Sequence, residues 1–165
     1  MNIQIVKADY CNEIHWADIP MLLDAYARDP MGGGQPLKET VKASLVSELA
    51  KRPYAFTVIA YADGKPAGLA NCFEGFSTFA CKPLVNIHDI AVLPEYRGIG
   101  ISQKLLEKVE EIATEKGCCK ITLEVLGNNA VAQAAYRKFG FAAYELDPAA
   151  GSAQFWEKKL DLALL

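Results

Sequence analysis

The run Arg97-Gly98-Ile99-Gly100-Ile101-Ser102 sets two glycines between an apolar stretch and a helical one. Glycines so placed let backbone come close to a ligand. A tight glycine turn entering a helix also leaves free N–H groups at the positive end of the helix dipole, which suits a phosphate or pyrophosphate. Three ligands compete for such a turn: a dinucleotide, ATP and coenzyme A. The dinucleotide fingerprint Gly-x-Gly-x-x-Gly needs a third glycine where this chain has Gln103. The ATP loop ends in Gly-Lys and then Ser or Thr, and no such pair occurs between Gly98 and Lys104. A coenzyme A pyrophosphate remains.

The turn is positioned by a strand over Val85–Leu93, ended by Pro94, and by a helix over Ser102–Lys116. That helix carries Leu105, Leu106, Val109, Ile112 and Ala113 on one face and stops at Gly117. Upstream, the pattern predicts a strand over Asn2–Val6 and a helix over Ala17–Arg28, with a stripe of Met21, Leu22, Ala25 and Tyr26 and with Pro20 in its first turn. A flexible loop over Asp29–Leu37 contains three consecutive glycines, and a helix follows over Leu37–Lys51. Strands over Tyr54–Tyr61 and Ala67–Phe79 are joined at Asp63-Gly64, a strong hairpin signal. Downstream come a strand over Lys120–Val125, a helix over Asn129–Phe139 closed by Gly140, and strands over Phe141–Leu146 and Ala153–Leu160. This order predicts an α+β fold, a mixed, mostly antiparallel sheet of about seven strands with helices on both faces.

At 165 residues, 52% hydrophobic and 22% charged, the chain is expected to form one domain over residues 1–165. No apolar run reaches the roughly 20 residues of a membrane helix, and no signal peptide is recognisable. A net charge of -3 without a Lys/Arg-rich face argues against nucleic acid as a partner. The five cysteines show no Cys-x-x-Cys pair and no histidine at ligand spacing, so we expect no metal and a reduced, cytoplasmic setting.

The segment Ile90–Leu106, IAVLPEYRGIGISQKLL, resembles the coenzyme A motif of the GNAT superfamily of N-acetyltransferases, Gln/Arg-x-x-Gly-x-Gly/Ala after a strand ending in Ala-Val and Pro. Arg97, Gly100 and Ser102 fill its three defined positions; Ser102 replaces the usual Gly or Ala and brings a hydroxyl close to the phosphate. Leu123–Phe141, LEVLGNNAVAQAAYRKFGF, resembles the second signature, with Asn129 and Tyr136 in place. The resemblance covers the second half of the chain. It implies the acyl-CoA N-acyltransferase fold, acetyl-CoA as co-substrate, and acetyl transfer to a primary amine of a small molecule or peptide by direct attack in a ternary complex. It also implies a homodimer, the family's common form, to which the final strand SAQFWEKKL would contribute. A sensor that binds acyl-CoA without turnover, or an enzyme using a longer acyl-CoA, are the alternatives.

Acetyl transfer needs a neutral nitrogen, whereas a lysine-like amine titrates near about 10.4 and an α-amine near about 8. The departing thiolate gains from a nearby acid, and the carbonyl oxygen from a fixed N–H donor. The resemblance implies backbone donors at Ile90, Ala91 and Val92, pyrophosphate contacts over Arg97, Gly98, Ile99, Gly100, Ile101, Ser102 and Gln103, a cofactor contact at Asn129, and Tyr136 as both the acid and a cofactor contact. For the base it offers His88 or Glu124, with an ordered water as the third option. Period two puts Asn86, His88, Ile90 and Val92 on one face of the strand and Ile87, Asp89 and Ala91 on the other. Glu74, on the long strand, is a weaker candidate for holding a cationic amine.

Overall fold

Asp63 and Gly64 take positive φ values of 47° and 77°. They turn the chain so that β2 (Ala55–Ala62) and β3 (Lys65–Ser77) pair as a hairpin in the computed structural model, which describes residues 1–161. β1 (Ile3–Lys7) lies antiparallel to β2 on one side, and β4 (Lys82–Val92) antiparallel to β3 on the other. β5 (Ile121–Leu123) joins β4 in parallel, giving the sheet order β1-β2-β3-β4-β5.

Both faces of the sheet are covered. On one, α1 (Glu13–Arg28) and α2 (Glu39–Ala50) bring Ile19, Leu22, Val46 and Leu49 onto Ile59, Tyr61 and Leu69. On the other, α3 (Ile101–Glu115) buries Leu105, Leu106, Val109 and Ile112 against Phe56, Val58, Ala60, Val85 and Ile87, and α4 (Ala130–Phe139) adds Tyr136 and Phe139. Each fully buried Leu or Val contributes about 1.5–3 kcal/mol, so the apolar stripe of α3 fixes where its N-terminus points. Gly68 lets β3 lie close to β4: a Cβ there would stand 2.7 Å from the Ala91 carbonyl oxygen.

Three expectations are corrected. α1 begins a turn early because the Asn12 side chain caps the N–H groups of Ile14 and His15, which places Pro20 inside the helix. The segment Asp29–Leu37 is folded: Pro30–Gly32 form a 3-10 turn, Asp29 accepts from Met31 N–H at 2.9 Å, and Leu37 N–H bonds the Asp24 carboxylate at 2.8 Å. The strands expected over Phe141–Leu146 and Ala153–Leu160 do not form, leaving five strands among the described residues. β5 is only three residues long and offers little edge to extend, and Leu146, Phe155, Trp156 and Leu160 stay exposed.

Candidate active site

The glycine turn sits at the N-terminus of α3. Gly98 and Gly100 have φ of 80° and 85°, and a Cβ built on either meets no atom within 4 Å, so open space lies before the turn. Gly100 caps the helix without any side chain bonding its first N–H groups, which leaves those donors free. Ile101 is buried in the core and anchors the helix, so only its N–H can serve a ligand, while Ile99 is exposed. Ser102 makes no side-chain hydrogen bond to any described residue. The Gln103 amide is committed to the Ala135 carbonyl at 3.0 Å and ties α3 to α4. The Arg97 guanidinium is likewise engaged, donating from Nε to the Val92 carbonyl and from Nη2 to Asp29 Oδ2, both at 3.0 Å. The Asp29 carboxyl is held below the usual range, first by the Met31 N–H and then by Arg97.

β5 pairs only with Val85–Ile87, so His88–Val92 has no strand on that side among the described residues. The end of β4 therefore presents backbone donors and acceptors to a gap. The register with β3 jumps from Asn71 opposite Asp89 to Cys72 opposite Ile87, so His88 is the extra residue of a β-bulge. The bulge overturns the period-two reading. Val85, Ile87, Ile90 and Val92 pack toward α3, whereas Ala91 and Leu93 pack toward α1. The exposed His88 ring lies edge-on against Phe73 at 5.6 Å, on the α1 face and opposite Ile90 and Val92.

Between the end of α1 and the end of β4 lies a cleft of about 240 Å³, lined by Tyr26, Asp29, Ala91, Val92, Pro94 and Arg97 among others. A larger hollow of about 320 Å³ lies between α3, β5 and Phe141, lined by neither the glycine turn nor the end of β4. Burial pushes the Tyr136 phenol up to about 12, with Tyr26 a further cause, so the phenol keeps its proton at neutral pH. Its ring packs on Phe141, and its hydroxyl has no hydrogen-bond partner among the described residues. Tyr26 is raised by burial and then by Asp89 and Asp29.

The remaining sequence candidates are spread out. Asn129 caps α4, accepting from Ala132 N–H at 3.2 Å. Glu124 is exposed just past β5, 3.4 Å from Asn86 Nδ2. No hydrogen bond joins His88, Glu124 and Tyr136 to one another. Glu74 pairs with Lys116 at 3.2 Å near the far end of β4. Cys72 is buried, and burial with Asp89 nearby holds its thiol far above the usual range, so it is no thiolate nucleophile. Sequence reasoning missed Tyr26, counted as a core stripe residue, and Asp89, assigned to the face away from His88. A bulge leaves no local mark that would have signalled the second.

An α+β sheet opening beside a glycine turn defines the acyl-CoA-binding class. Residues 19–141 match the family model for the acetyltransferase (GNAT) family, and the chain belongs to that family. It is 33% identical over 99 residues to a putative ribosomal protein bS18-alanine N-acetyltransferase of Bacillus subtilis, covering 60% of this chain and 62% of the relative. It is 41% identical over 88 residues to the streptothricin acetyltransferase of Streptomyces lavendulae, covering 53% and 44%. The thialysine N-epsilon-acetyltransferase of Bos taurus is 45% identical over 56 residues, covering 34% and 33%. The chain thus spans less than two thirds of the length of each of these relatives. Among solved structures, the aminoglycoside acetyltransferase meta-AAC0020 from an uncultured soil metagenomic sample superimposes with a TM-score of 0.76 at 18% identity, covering 96% of this chain and 97% of that one. AAC(6')-Iy in complex with a CoA-containing bisubstrate analogue gives 0.74 at 22%, covering 97% and 100%. These likenesses show the fold.

Proposed function

We propose that this chain is an acetyl-CoA-dependent N-acetyltransferase acting on a primary amine by direct attack in a ternary complex. The observation that carries the reading is the uncapped, glycine-opened N-terminus of α3 beside the unpaired end of β4. In this reading the N–H groups from Gly98 to Gln103 and the free Ser102 hydroxyl hold the pyrophosphate. The backbone of Ile90–Val92 holds the thioester end and its developing oxyanion. Tyr136, protonated and unpartnered, gives its proton to the departing thiolate. His88, exposed at the bulge, is the base; Glu124 is the alternative, and comparing His88→Gln with Glu124→Gln separates them. Exposed Phe155, Trp156 and Leu160 support a homodimer, and five free cysteines support a reduced, cytoplasmic setting.

The test is thiol release from acetyl-CoA across polyamines, aminoglycosides, amino acids and peptide N-termini. Amine-dependent release is expected. Tight acetyl-CoA binding with no release on any amine would instead favour a sensor, and faster release from succinyl-CoA a longer acyl donor. An acetylated thiol trapped on Cys81 or another cysteine during turnover would sink direct attack.

A further inference from the structure

The hollow of about 320 Å³ between α3, β5 and Phe141 serves no step of acetyl transfer, yet two adjacent cysteines line it. Gly117, at φ 71°, turns the chain from α3 toward β5, and Cys118 and Cys119 follow it. Both backbones are pinned: Cys118 N–H bonds the Ala113 carbonyl at 3.0 Å, and Cys119 N–H the Pro83 carbonyl at 2.8 Å. Cys118 is half-buried against the α3 core, whereas Cys119 is exposed. Burial first, and then Glu74, raises the Cys118 thiol above its ordinary range. The charge of Cys119 raises it further, so the two sulfurs stand within electrostatic reach of each other.

Neighbouring cysteines are poor partners for one another. Their Cα atoms stand about 3.8 Å apart across a trans peptide, short of the roughly 4.4–6.8 Å that a disulfide spans. Closing the bond would twist a segment that both N–H groups hold in place, so the pair stays a dithiol. A metal ion suits it no better: among the described residues no group of three or more His, Cys, Asp or Glu could hold one. A soft cation would also need both sulfurs as thiolates, which burial and Glu74 oppose at Cys118. Two sulfurs without a third ligand satisfy a trivalent centre whose third bond is already taken by carbon. Phe139, Phe141 and Ile121 line the same hollow and offer the carbon substituent an apolar wall.

We propose that Cys118 and Cys119 form a two-sulfur site for a trivalent organoarsenical, with its organic group lodged against Phe139 and Phe141. In its hydrated form the arsenic carries two hydroxyl groups. Both As–O bonds break and two As–S bonds form, and each hydroxide leaves as water with one thiol proton. Arsenic stays trivalent and neither sulfur is oxidised. Because the leaving hydroxides take the protons, neither thiol has to ionise beforehand. The hollow is lined by neither the glycine turn nor the end of β4, so the site is independent of the acetyl-transfer reading.

The experiment is intact-protein mass spectrometry after treatment with phenylarsine oxide, with free thiols counted before and after. One phenylarsenic group per chain is expected, with two of the five thiols lost. The adduct should survive excess 2-mercaptoethanol and be stripped by 2,3-dimercaptopropanol, because only a competing dithiol closes a ring of its own. Cys118→Ala and Cys119→Ser should each weaken retention by at least about a hundredfold, the scale of a lost second attachment. Cys11→Ser and Cys81→Ser should leave it unchanged. Inorganic arsenite, which has no organic group to bury, should bind at least about tenfold more weakly. An adduct removed by 2-mercaptoethanol, retention unchanged in Cys119→Ser, retention lost in Cys81→Ser, or arsenite held as tightly as the phenyl compound would each overturn the proposal. Should Cys118→Ala lower the melting temperature, Cys119→Ser carries the same test at an exposed position.

Discussion

Gly100→Ala separates a phosphate turn from a merely structural one. At φ 85° an alanine pays about 1–2 kcal/mol for the left-handed conformation, while its Cβ clashes with nothing in the protein. In a domain of this size 1 kcal/mol lowers Tm by about 2–4 °C, so the variant should stay folded and melt about 2–8 °C early. The methyl group projects into the open space where the pyrophosphate must approach the N–H groups of α3. Losing one charge-assisted hydrogen bond there costs about 1.5–3 kcal/mol, or about 10- to 150-fold in acetyl-CoA affinity. Gly117 supplies the control: φ is 71°, the surrounding space is equally open, and it lies at the other end of the same helix. Gly117→Ala should lose comparable stability with no change in affinity. Calorimetric titration with acetyl-CoA and thermal melts of both variants read the two effects. If both bind acetyl-CoA like the unaltered protein, the turn does not hold the pyrophosphate.

Tyr136→Phe should lower kcat by about a hundredfold in steady-state assays and leave acetyl-CoA affinity unchanged. Tyr136 also sets a pH dependence of stability. The phenol titrates near about 10 when unfolded and about 12 when folded, so the stabilisation is full below pH 10 and is lost as pH rises through 12. Thermal melts between pH 9 and 12 should therefore fall less steeply for Tyr136→Phe than for the unaltered chain. Gly32→Ala should cost about 1–3 kcal/mol in urea unfolding, because a Cβ there overlaps the Tyr26 carbonyl oxygen. An unchanged midpoint would mean that the turn after α1 is looser than its contacts indicate.

What could be read in the sequence was local. The apolar stripe of α3, the Asp63-Gly64 hairpin and the glycine turn are each specified within a few neighbouring residues, and each stands where its pattern placed it. The helix stripe even aims the turn, because burying Leu105 and Leu106 on the sheet leaves the α3 N-terminus little freedom. The failures came where pairing between distant segments decides. Phe155 and Trp156 give Ala153–Leu160 strand propensity, and the three residues of β5 supply too little edge to realise it. Period two along β4 held to Ile87 and then reversed, since one extra residue at His88 shifts every later side chain to the other face. That reversal moved Asp89 from the face expected to lie away from His88 onto the α1 face, within reach of Asn71, Thr57 and Tyr10, which come from two other strands and a loop. The turn that would bind the cofactor was therefore legible, being a property of one segment, whereas the row of side chains from Tyr10 to Asp89 was not. It is assembled by a register irregularity between β3 and β4, and the physics that sets register lies in neither strand alone.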